Sequence, residues 1–241
     1  MTRHQLGKSS VNGTSATGVR PRFKVCCIAT LEEAELAINC GANAVGLVSE
    51  MPSGPGIIPD DRIEEIAARI PPGVSSFLLT SSREVGAIVD QQRRFGVNTI
   101  QLCDGLPPEA ILELRSLMPG VSIVQAIHVA GVEAIDQARA AARAAHALLL
   151  DSGDPSKAVK ELRGTGRTHD WAISRKIREE VEVPVWLAGG LTPDNVGEAV
   201  RQVQPFGVDI CSGLRTDGRL DGEKLTRFVR SLETGPRCPT P

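Results

Sequence analysis

The sequence predicts an α/β chain folded as a (β/α)8, or TIM, barrel. Three observations carry that expectation. Eight short runs rich in branched apolar residues recur along the chain, longer segments with helical apolar spacing follow each of them, and 241 residues suffice for one such alternation plus short tails. A doubly wound open sheet would use many of the same elements. Closure uses all eight strands and leaves no edge strand to protect.

FKVCCI (23–28) opens the alternation, and LEEAELAINC supplies the first helix. NAVGLV (43–48) is followed by DDRIEEIAARI, in which Ile63, Ile66, Ala67 and Ile70 mark one helical face at i, i+3, i+4, i+7 spacing. VSSFLL (74–79) precedes EVGAIVDQQRRF, VNTIQL (97–102) precedes PPEAILELRSLM, and VSIVQAI (121–127) precedes GVEAIDQARAAARA. AHALLLD (145–151), VPVWLA (183–188) and GVDIC (207–211) lead to DWAISRKIREE, TPDNVGEAVRQVQ and DGEKLTRFVRSL. Residues 23–233 therefore read as one barrel domain. Residues 1–22, without an acid and with little apolar material, read as a flexible N-terminal tail, and residues 234–241, with closely spaced prolines, as a flexible C-terminal one.

Composition excludes several function classes. The 27 Lys+Arg against 29 Asp+Glu give a net charge of -2, so no global field holds a polyanion. Aromatics make up only 3% of residues, with no Tyr, which argues against a stacking platform for single-stranded nucleic acid. Apolar runs fall short of the roughly 20 residues that cross a bilayer, so no membrane partner is expected. The six cysteines, at 26, 27, 40, 103, 211 and 238, have neither the density of a disulfide scaffold nor CxxC spacing. A reducing, cytoplasmic interior fits them. The stretch AAARAAHA suits either close approach of a second subunit or ordinary packing on the barrel, which leaves monomer and homodimer open.

In such a barrel the C-terminal ends of the strands converge on one mouth. RGTGRTHDW after the sixth strand, LAGG after the seventh and CSG after the eighth bring small residues there, and turn N–H groups at such sites bind phosphate oxygens. Gly164, Thr165, Gly166, Gly189, Gly190, Ser212 and Gly213 form the expected phosphate cradle. Any one of these glycines alone is explained by a turn; their convergence at three neighbouring strand ends carries the reading. GxxxxGK[ST] is absent, so this is no nucleoside-triphosphatase loop. Asp151, closing the buried run LLLD, is a candidate acid. Cys26 and Cys27 should point to opposite faces of their strand, with one of them inside. MPSGPGIIP (51–59) reads as a flexible rim or a lid. Cys103, His128 and Arg215 are possible substrate contacts, His169 beside the GTG loop reads equally as a ligand contact or as a capping or packing residue, and Trp171 and Trp186 read as packing anchors. The histidines do not supply the three ligands of a zinc site, and no metal is expected.

The stretches KVCC (24–27), GANAVGLV (41–48), IQL (100–102), LLLDS (148–152), GTGRTHDW (164–171), LAGGLTPDNVGEAV (187–200) and GVDICSG (207–213) together resemble the phosphoribosylanthranilate isomerase family, which performs the Amadori rearrangement of tryptophan biosynthesis. The resemblance implies a phosphate-binding barrel, a small phosphorylated sugar-amine substrate, Cys26 as general base and Asp151 as general acid, with no cofactor. Several positions depart from the pattern. Cys27 stands where the motif has Gly, and MPSGPGIIP lacks the Arg that the family uses for the anthranilate carboxylate. Cys103 replaces His, His169 replaces Phe, Arg215 replaces an acidic residue, and a Lys-Asp pair becomes Leu220-Asp221. Arg215 is one candidate to supply the missing cation, beside its reading as a solvent-facing or phosphate-rim residue, and Arg83 after the third strand is another. The departures keep two alternatives in view: an isomerase of another phosphorylated aminosugar, and a noncatalytic phosphometabolite-binding protein.

Overall fold

The computed structural model describes residues 20–52, 54–152 and 169–233. Eight parallel strands close a barrel in chain order, with the last paired to the first: β1 (Arg22–Val25), β2 (Ala44–Val48), β3 (Ser75–Thr80), β4 (Thr99–Leu102), β5 (Ser122–His128), β6 (Ala147–Asp151), β7 (Val185–Leu187) and β8 (Gly207–Ile210). Each is followed by a helix: α1 (Leu31–Asn39), α2 (Asp60–Ala67), α3 (Val85–Phe95), α4 (Pro108–Leu117), α5 (Ala134–Ala142), α6 (Trp171–Glu180), α7 (Val196–Val203) and α8 (Gly222–Glu233). Local chemistry marks the helix ends. Thr30 accepts from the Glu33 N–H to cap α1, Asp170 accepts from the Ala172 N–H to cap α6, and Gly96, at φ 64°, ends α3.

Period-two alternation sorts the strand side chains into two cores. Outward, Phe23, Val25, Ile100, Leu148, Leu150 and Val208 pack in one cluster with helix residues such as Ile63, Ile66 and Ile111. Inward, Val124, Ala126, Leu149 and Trp186 fill the barrel with Phe77. Trp186 meets Phe77 and Phe206 edge-on at 5.9 and 5.6 Å, so it plugs the interior as the expected anchor.

The regular strands are shorter than the apolar runs that announce them. β1 ends at Val25 rather than residue 28, and it begins at Arg22, one residue before the expected start. Arg20 and Arg22, assigned to the tail by sequence, are engaged by the barrel: Arg20 lies 5.0 Å over the Phe23 ring and donates to the Gly41 carbonyl, and Arg22 lies 4.4 Å over Phe206. The rest of both expected tails, 1–19 and 234–241, falls outside the described residues. A further element interrupts the last βα connection. After a 3-10 turn at Ser212–Leu214, the strands β9 (Arg215–Thr216) and β10 (Arg219–Leu220) form a small antiparallel hairpin.

Candidate active site at the barrel mouth

Cys26 follows β1 and keeps its pairing with β8, donating its N–H to the Ile210 carbonyl at 2.8 Å. Cys26 and Cys27 border a cleft, with Asp151, Gly189, Gly190 and Ser212 on its wall and Gln101 and Asp209 among its lining. The expectation that Cys26 and Cys27 point to opposite faces is corrected here. The strand has ended, and Cys27 takes a left-handed φ of 63°, which breaks the alternation: both residues belong to the inner cluster, line the cleft and hydrogen-bond to each other through their thiols. For a residue with a β carbon this conformation costs about 1–2 kcal/mol. Gly56, at φ 79°, lies so close that a β carbon there would come within 2.4 Å of the Cys27 Cβ, and Cys27 Sγ is 3.6 Å from the Pro55 carbonyl. The loop carrying MPSGPGIIP is thus folded onto the Cys26–Cys27 turn, with Ile57 bridged to Val48 and Met51 buried in the inner core.

Beneath Cys26, Lys24 is wholly buried, with Nζ 2.9 Å from Asp209 Oδ2 and 2.9 Å from Gln101 Oε1. Burial alone would depress this amine, but Asp209, with Cys26 and Cys103, outweighs it and holds Lys24 protonated with a raised pKa. Hydrogen bonding with Cys27, then burial, pushes the Cys26 thiol well above its ordinary value, and Lys24 pulls in the opposite direction. Asp209 Oδ1 is buried without a hydrogen-bond partner among the described residues, leaving an acceptor at the cleft.

Asp151 ends β6, 6% exposed, and its Oδ1 accepts from the Ser152 N–H at 2.7 Å. His128 is its in-register neighbour on β5. His128 Nε2 lies 3.0 Å from the Cys103 carbonyl, which can only accept, so Nε2 carries the hydrogen, and the buried Nδ1 has no hydrogen-bond partner among the described residues. Cys103 itself is fully buried in the inner core beside Gln101, and the Asp104 carboxylate accepts from the Gly105 N–H in the turn. His169 Nε2 lies 2.6 Å from Ser174 Oγ, and burial pushes its pKa down to about 4, so it is a neutral packing group at the head of α6.

Gly189 and Gly190, at φ 83° and 62°, make the β7 turn, and Ser212 and Gly213 start the 3-10 turn after β8. Successive N–H groups in such turns form concave anion sites. The two turns interlock: a β carbon on Gly213 would come within 2.1 Å of the Leu191 carbonyl oxygen. Asn195 braces them, donating to the Gly190 carbonyl at 2.9 Å and accepting from the Thr192 N–H at 2.8 Å. Gly164, Thr165 and Gly166 lie outside the described residues.

Arg215, one candidate substitute cation for a substrate carboxylate, is committed elsewhere. Its Nη1 donates to Glu33 Oε1 at 3.0 Å and to the Gly218 carbonyl at 2.9 Å, and its Nη2 to Glu33 Oε2 and to the carbonyls of Cys26 and Cys27. Both side chains are only 11% exposed, which removes Arg215 from the mouth as a free charge.

Four residues at or under the site escaped the sequence reading: Lys24, Gln101, Asp209 and Asn195. The first three had a signal, a charged or amide residue at an inward position of an otherwise apolar strand, in FKVCC, TIQL and GVDIC. Among the described residues, no group of three or more His, Cys, Asp or Glu is placed to hold a metal, and no helix is long and apolar enough to cross a membrane.

The chain is similar to known proteins in sequence and fold. The family model described as N-(5'phosphoribosyl)anthranilate (PRA) isomerase matches residues 23–231. The N-(5'-phosphoribosyl)anthranilate isomerase 2 of Methanosarcina mazei is 39% identical over 210 residues, covering 86% of this chain and 92% of that protein. The crystal structure of phosphoribosyl anthranilate isomerase from Thermotoga maritima superposes with a TM-score of 0.76 at 27% identity, over 88% of this chain and 98% of that one. A phosphoribosyl anthranilate isomerase in complex with reduced 1-(o-carboxyphenylamino)-1-deoxyribulose 5-phosphate aligns over the same shares at 26% identity and a TM-score of 0.74.

Proposed function

The chain belongs to the N-(5'-phosphoribosyl)anthranilate isomerase family, and from that premise we propose that it converts N-(5'-phosphoribosyl)anthranilate to 1-(2-carboxyphenylamino)-1-deoxyribulose 5-phosphate, a step of tryptophan biosynthesis. The observation that carries the reading is the order of groups around the cleft. The β7 and β8 turns, suited to the phosphate, lie between Asp151 on β6 and Cys26 after β1. A phosphate anchored there leaves the sugar between an acid and a base.

Asp151, as the carboxylic acid, protonates the ribose ring oxygen while the C1′–O bond breaks and the amine nitrogen forms an iminium. Cys26, as thiolate, then removes the proton from C2′. The resulting enolamine tautomerises, gaining a proton at C1′, to the amino ketone product. In the free protein the Cys26 thiol is pushed above its ordinary value, and the positive charge of the iminium adds to that of Lys24 in favouring the thiolate when the base is needed. Asp209 Oδ1 supplies a further acceptor for a sugar hydroxyl. A free thiol as base suits a reducing cytoplasm.

Turnover of phosphoribosylanthranilate, assayed beside related phosphosugars, tests this directly. Cys26→Ser and Asp151→Asn should each lower kcat by roughly 10² to 10⁴, the usual worth of a general acid or base. Wild-type rates in both variants would sink the assignment. Binding without conversion by the wild type would favour a phosphometabolite-binding protein. One observation favours a second reading, isomerisation of a different phosphorylated aminosugar: the loop expected to carry the carboxylate-reading Arg instead places Gly56 tight against Cys27. Faster conversion of a substrate lacking the carboxylate would select it.

A further inference from the structure

We propose that Arg215 is a positioning residue that holds the Cys26–Cys27 turn in the conformation presenting Cys26 Sγ to the cleft. Two departures from the family pattern that stand 188 residues apart in sequence meet at one hydrogen bond, between the guanidinium of Arg215 and the carbonyl oxygen of Cys27. The same Nη2 reaches the Cys26 carbonyl at 3.3 Å, so both peptide groups flanking the left-handed residue are gripped from one side. Cys27 needs that grip. A residue with a β carbon populates φ near +60° poorly unless its surroundings impose it, whereas Gly adopts it freely. Relaxation of the turn to negative φ would rotate the Cys26–Cys27 peptide and carry Sγ away from Asp151.

The grip is itself anchored. Glu33 pairs with Arg215 and also accepts from the Ala29 N–H and the Leu220 N–H, each at 2.9 Å, which ties the β1–α1 loop to the β9–β10 hairpin. Only a planar fork serves both tasks at once. Arginine can spread its donors over a carboxylate and two carbonyls, and lysine, with a single nitrogen, cannot. The family's Gly at position 27 would have no need of the fork, which accounts for Arg and Cys departing from the pattern together.

The inference rests on the isomerase reading for its rate measurement and on thiol reactivity otherwise. Arg215→Lys, which keeps a charge against Glu33, and Arg215→Gln are compared in the full chain, each with and without Cys27→Gly. Both single variants should lower kcat for phosphoribosylanthranilate by about tenfold, the population cost of an unsupported left-handed residue, with KM changed less than about threefold. Cys27→Gly should restore most of that loss. Site-resolved alkylation of Cys26 by iodoacetamide, located by peptide fragmentation, should change by a similar factor and be restored in the same double variants. Unchanged kcat and alkylation, or a loss that Gly at 27 does not rescue, overturns the proposal. A raised KM with kcat intact also overturns it, by returning Arg215 to substrate binding. If the wild type leaves phosphoribosylanthranilate unconverted, the isomerase reading fails alone, and the alkylation series still decides the role of Arg215.

Discussion

The two faces of the barrel strands are built to different ends. On β1, Phe23 and Val25 point outward into an aliphatic layer, while Lys24, between them, points inward and Cys26 follows on the same side. On β8, Val208 and Ile210 face the helices and Asp209 faces in. Burial is as complete inside as outside, so what separates the faces is chemistry. The outer layer gains from the removal of apolar surface from water, whereas the inner one must balance desolvated charges against each other before it can act on a substrate.

The contrast makes distinct demands on substitutions. The largest stability effect is expected from Lys24→Met, which strands the Asp209 carboxylate in the barrel at a cost of roughly 3–5 kcal/mol, read by urea denaturation. Adding Asp209→Leu should recover most of it; a loss below about 1 kcal/mol for Lys24→Met alone would show that the pair does not hold the interior. Leu148→Ala, in the outer layer, should cost about 2–5 kcal/mol by the same measurement while kcat of the folded enzyme stays within about threefold. A collapse of kcat in a folded Leu148→Ala protein would mean that the faces are coupled. The smallest effect is electrostatic. Because the Cys26 pKa lies above its ordinary value, its thiolate fraction below that pKa grows with pH, and alkylation of Cys26 should accelerate about tenfold per pH unit from pH 7 to 9. A plateau by pH 8 would show a thiol that the interior does not protect.

The strand–helix alternation was legible because both faces of each strand are buried, so every strand appears as a near-continuous apolar run. Asp151 stood out as a reactive group at the C-terminal end of such a run, whereas Cys26 was told from Cys27 only by the family resemblance. The Cys27 turn was not. The alternation rule assumes extended backbone, and a side-chain-bearing residue at φ 63° leaves no mark in the sequence except a Cys where Gly is usual. The β9–β10 hairpin had a signal in Asp217-Gly218, both at positive φ, but strands of two residues give no periodicity to read. The engagement of Arg215 with Glu33, 182 residues away, depends on closure of the barrel and has no local signature.

That closure also sets an order of assembly. β1 finds one neighbour in β2 early in synthesis, but its other neighbour is β8, and the Arg215–Glu33 bridge spans nearly the whole barrel. Until β8 and the hairpin after it are in place the Cys26 loop stays unlatched, because the contacts that complete it close one of the longest loops in the domain. The complete Cys26 loop therefore needs β8 and the hairpin after it, and a fragment ending before β8 would lack both the strand pairing and the guanidinium contact that place Cys26.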